Sequence, residues 1–174
     1  MRISENYMRT HDIDWFCCLD RRYLLHFASN GSLLPPFVAD NWIVINSQRL
    51  LSVLPLQPGS ELRYNEAHIL QLSEQKDFGR ERYLESFKFF AQKGCYSFDF
   101  EWKRENEYFW GEDFEENNGA YHLIVGPGSR EISPDMREYL LDTLPQISSG
   151  DIEYYHRIGF DIRLILDQIR HMNR

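Results

Sequence analysis

An α+β domain is predicted by three features of the 174-residue chain. Apolar residues recur at every second position over 96–102, then at helical spacing over 83–91 and 158–172, so both periods are present. The order of these segments along the chain is hairpin, strand, helix, strands, helix, helix. Helices that follow strands in runs, without strict alternation, favour a mostly antiparallel sheet with about three helices packed on it. The length suits one domain, here residues 1–174, since domains run to roughly 100–200 residues.

The elements follow in order. Over 12–20, Ile13, Trp15, Cys17 and Leu19 fall on one side, while Asp12, Asp14, Cys18 and Asp20 fall largely on the other, the pattern of a half-buried strand that only Phe16 interrupts. Arg21-Arg22 separates it from Tyr23-Leu24-Leu25-His26-Phe27-Ala28, and the two strands read as a hairpin. Asn30-Gly31-Ser32 and Pro35-Pro36 break the pattern, Trp42-Ile43-Val44-Ile45 is a short strand candidate, and 55–60 is a loop. Residues 46–75 carry no clear period. A helix is expected over 77–93, where Tyr83, Leu84, Phe87, Phe90 and Ala91 share a face and Gly94 supplies the left-handed residue that ends it. Tyr96, Phe98, Phe100 and Trp102 then alternate with Ser97, Asp99, Glu101 and Lys103 in the clearest strand of the chain. Residues 120–125 form another strand, ending at Gly126-Pro127-Gly128. Ser133-Pro134 places an N-cap before proline at N1, and Met136, Tyr139, Leu140, Thr143 and Leu144 form a buried stripe that stops before Pro145. The last helix begins near Asp151, with Gly159 a weak point in its interior.

Composition excludes several classes of function. With 43% hydrophobic, 15% aromatic and 26% charged residues, the chain has enough apolar content to fold. A net charge of −8 repels nucleic-acid backbones and anionic lipid. The first residues lack the apolar stretch of roughly 7–15 residues that a secretory signal requires, and no run approaches the ~18 apolar residues of a membrane span, so a cytoplasmic location is expected. Cys17, Cys18 and Cys95 lack CxxC spacing and read as buried reduced thiols. The loop Gly126-Pro127-Gly128-Ser129-Arg130 fails both phosphate-binding glycine patterns, no GxSxG occurs, and neither a catalytic residue nor a cofactor is assigned.

The most informative stretch is 99–116. It holds Asp99, Glu101, Glu105, Glu107, Glu112, Asp113, Glu115 and Glu116 against Lys103 and Arg104, which is six of the chain's eight excess negative charges. Trp102, Tyr108, Phe109, Trp110 and Phe114 are interleaved with them. Charge of one sign speeds encounter with an oppositely charged protein, and aromatic anchors hold the complex once formed. Asp99, Glu101, Trp102, Glu105, Glu107, Tyr108, Trp110, Glu112, Asp113, Glu115 and Glu116 are therefore the candidate contacts for a basic protein partner.

A resemblance points the same way. His11-Asp12-Ile13-Asp14-Trp15-Phe16, followed by Leu25-His26-Phe27-Ala28-Ser29-Asn30-Gly31, is similar to the start of small bacterial proteins found in polymorphic-toxin immunity neighbourhoods. What this resemblance implies is a small cytoplasmic protein that binds a partner, and with the acidic-aromatic stretch the leading expectation is a non-enzymatic, immunity-like binding protein. Two other readings stand beside it. Asp12, Asp14, His26, Asp99, Glu101 and His122 lie on candidate strands and could form a carboxylate–histidine site for Mg²⁺ or Mn²⁺ in a metal-dependent hydrolase. Ile158, Ile162, Ile165 and Ile169, spaced four, three and four, fit either packing on the sheet or the seam of a homodimer.

Overall fold

A computed structural model describes residues 2–41, 61–75, 79–103, 119–128, 134–157 and 160–174, with 49, 52 and 56 as isolated positions. The strands are β1 (Asp14–Leu19), β2 (Tyr23–Ala28), β3 (Arg63–Tyr64), β4 (Cys95–Trp102), β5 (Gly119–Gly126) and β6 (Gln146–Ile147). They join in one sheet of order β3-β5-β4-β2-β1-β6. Seven α-helices occur among the described residues: α1 (Glu5–Thr10), α2 (Pro36–Ala39), α3 (Glu66–Gln75), α4 (Arg80–Ala91), α5 (Pro134–Thr143), α6 (Ile152–Arg157) and α7 (Ile162–Met172).

The α+β class is as expected, but the sheet is mixed. β1–β2, β3–β5 and β4–β5 run antiparallel, whereas β2–β4 and β1–β6 run parallel. The long connection between Ala28 and Cys95 carries α2, α3 and α4 across the sheet and returns the chain in the direction it left, as a parallel neighbour requires. The same connection supplies two of the helices beyond the expected three, α2 and α3. α3 lies within 46–75, where no period could be read, and α1 and α2 are too short to show one. The strand expected at 42–45 lies outside the described residues.

Helices cover both faces of the sheet. On one face Trp15, Cys17, Leu25, Phe27, Phe98 and Leu123 pack against Met8, Val38, Phe160, Ile162, Ile165 and Ile169. On the other, Phe16, Cys18, Leu24 and Cys95 meet Phe90, Leu140 and Leu144, and Ala28, Ile124 and Val125 meet Ile69, Leu72, Leu84 and Phe87. β1 is thus buried on both sides rather than half-buried, and Phe16, fully buried, belongs to the second core. All three cysteines are buried free thiols, and desolvation raises the Cys17 pKa well above its ordinary value.

Several local expectations are sharpened. The hairpin loop spans Asp20, Arg21 and Arg22, one residue more than Arg21-Arg22 alone, because Leu19 pairs with Tyr23. Asp20 and Arg21 both adopt positive φ, 54° and 53°, which matches the twist of paired strands at some cost in backbone strain. Gly94, at φ 97°, turns the chain from α4 into β4. In α5, Leu140 is buried but Tyr139 is exposed, since neighbouring helix positions point about 100° apart. The last helical stretch is two helices: α6 ends at Arg157, and α7 starts afresh with Asp161 accepting from Leu164 N–H at 3.0 Å.

The isoleucine stripe faces inward. Ile162, Ile165 and Ile169 are at most 2% exposed within a single chain and pack in its own core; Ile158 lies outside the described residues.

Candidate functional site

The polar side of β4 is covered in large part by helices. Ser97, Asp99 and Glu101 point at the layer formed by α3 and α4, and each meets a partner there. Ser97 Oγ donates to the Phe87 carbonyl at 3.3 Å, and Tyr83 Oη donates to Asp99 Oδ2 at 2.7 Å. Burial first, and the adjacent Asp99 carboxylate second, push the Tyr83 pKa far up, so this phenol keeps its proton. Glu101, at the far end of the row, meets two histidines. Its Oε2 lies 3.4 Å from His68 Nε2 and 3.6 Å from His122 Nε2.

Local sequence explains the convergence. Asp99 pairs with His122 and Glu101 with Ala120 across β4–β5, which places His122 diagonally beside Glu101 on one sheet face. His68 arrives from the helix above. Asn65 accepts from His68 N–H at 3.4 Å in the manner of an N-cap, while its own Nδ2 donates to the Leu123 carbonyl at 2.9 Å and its N–H to the Ile124 carbonyl at 3.0 Å. One asparagine therefore starts α3 and ties that start to β5. The two imidazole rings stack, with centroids 4.4 Å apart and planes 12° from parallel.

Burial pushes both imidazole pKa values below the ordinary 6.5; at His68 the neighbouring His122 adds to this, and at both the Glu101 carboxylate opposes it. Both shifts favour the uncharged form of the rings. His68 is buried, whereas Glu101 and His122 are partly open to a cavity of about 390 Å³ that Gln71, Trp102, Lys103 and Ala120 also line.

The six residues expected to form a carboxylate–histidine site fall into two separate pairs and two carboxylates held elsewhere. Glu101 and His122 come together. Asp99 is held by Tyr83, and Asp14 Oδ1 lies 3.1 Å from Nε2 of the fully buried His26. Asp12 accepts from Asn30 N–H at 2.7 Å in a turn. Asp14, Ala28, Asp99 and His122 are successive partners across β1, β2, β4 and β5, so Ala28 and a further strand spacing stand between the two pairs. His68, absent from the expected set, replaces the four residues that do not converge. A single histidine in a segment without readable period offered no signal for it.

Of the acidic-aromatic stretch, Asp99, Glu101 and Trp102 are described. Trp102 Nε1 donates to the Asn30 carbonyl at 2.9 Å and its ring packs edge-on against Phe100 at 5.1 Å, which fixes the end of β4. Glu105, Glu107, Tyr108, Trp110, Glu112, Asp113, Glu115 and Glu116 lie outside the described residues. The points of departure and return are defined, however, because Trp102 pairs directly with Gly119. A Cβ at position 119 would overlap the Glu101 carbonyl oxygen and the Phe100 ring, so glycine is required where the chain re-enters the sheet.

Comparison with family models, with curated proteins and with solved structures yields no match to this chain. No helix among the described residues is long and apolar enough to cross a membrane.

Proposed function

We propose that this chain is a non-enzymatic binding protein of the bacterial cytoplasm, of the immunity kind its N-terminal resemblance implies, that presents an acidic and aromatic surface to a basic protein such as a toxin. The observation that carries the reading is where the charge is concentrated. Six of eight excess negative charges fall within 99–116; Asp99 and Glu101 turn toward Tyr83 and the two histidines, and the other net four lie in 103–116, which leaves and re-enters the sheet at one place, the Trp102–Gly119 pair. Like charges gathered in so few residues repel one another, a cost that a complementary partner offsets on binding. The aromatic residues among them supply the anchors that charge alone lacks.

Inhibition on this reading is occlusion: the acidic surface covers a basic site on the partner and no bond is made or broken. The test is co-expression with the product of the adjacent gene. Toxicity of that product alone, relieved by this protein, supports the reading; a benign neighbour removes its main support.

A further inference from the structure

We propose that His68, Glu101 and His122 form a binding site for one Zn²⁺ ion, with water in the remaining position on the cavity side. One donor atom from each of the three side chains lies within 4.8 Å of the other two. A four-coordinate zinc with bonds of about 2.0–2.2 Å holds its ligand atoms roughly 3.3–3.6 Å apart. The two contacts to Glu101, 3.4 and 3.6 Å, already have that separation. The third edge, between the imidazoles, is no longer than 4.8 Å.

The chemistry of the donors agrees with the geometry. Two imidazoles and one carboxylate suit zinc, whereas magnesium prefers oxygen ligands and retains its waters. Three ligands with a cavity in front of them make an open site, and the 390 Å³ space beside Gln71 and Trp102 has room for water or a small ligand on the ion. The ligands also come from separate elements, α3, β4 and β5, so an ion would join the helix layer to the sheet.

The experiment uses the full chain, freed of metal with chelator and titrated with zinc chloride against a metallochromic indicator. The wild type is expected to take up one Zn²⁺ per chain, and Glu101→Gln and His122→Asn to weaken binding at least tenfold. Magnesium at millimolar concentration should not compete. Proton NMR of the wild type supplies a readout that depends on no variant: the ring signals of His68 and His122 shift on zinc addition, while those of His11 and His156 do not. Absence of stoichiometric uptake overturns the proposal. So does uptake that both variants retain within threefold, or ring shifts confined to other histidines.

Discussion

At the scale of single residues, the polar row of β4 shows how alternation can mislead. Ser97, Asp99 and Glu101 alternate with aromatic residues as in a strand with one wet face, yet each is matched by a group on a covering helix. Alternation reports polarity and not exposure; here hydrogen bonding to α4 and the contact of Glu101 with His68 of α3 take the place of water. The partner of Asp99 gives a direct test. Tyr83→Phe removes a donor to a half-buried carboxylate and is expected to cost about 1–2 kcal/mol in urea denaturation. A loss under about 0.5 kcal/mol would mean that solvent replaces the hydroxyl. His68 marks the limit of what single residues disclose, because its role depends on Asn65 holding α3 against β5, a contact between residues far apart in sequence.

Among the elements, those with one strongly apolar stripe were legible. α4, α5 and α7 occupy the expected stretches, since each buries a stripe against the sheet: Leu84 and Phe87, Leu140, and Ile162, Ile165 and Ile169. The hairpin β1–β2 and the strands β4 and β5 were equally plain. The direction of β4 relative to β2 was not, because strand periodicity is the same in parallel and antiparallel pairs, and the crossover that decides it runs partly through a stretch without period. The choice between core and dimer seam for the isoleucines was likewise open until the sheet face opposite them was known. Ile169→Ala is expected to lower stability by about 2–5 kcal/mol, the range for opening a cavity in a packed core. That loss should be the same at low and high protein concentration in thermal unfolding; a loss that grows on dilution would place Ile169 at an interface between chains.

For the molecule as a whole, the two faces of the sheet bury the core, and the end of β4 collects the features with functional promise. Glu101 reaches the two histidines, Trp102 fixes the strand end, and the most acidic part of the chain departs from the next residues. The concentration of charge was legible in the sequence because it depends only on counting, whereas its attachment to one point of the sheet depends on the β4–β5 register. The central claim is that this charge steers a basic partner. The most direct measurement is the association rate with the product of the adjacent gene, at low and physiological ionic strength, for the wild type and for a variant with Glu112, Asp113, Glu115 and Glu116 changed to Lys. The account predicts that the variant associates at least tenfold more slowly at low salt, and that added salt slows the wild type by screening the attraction. An association rate that neither the four reversals nor salt alters would contradict it.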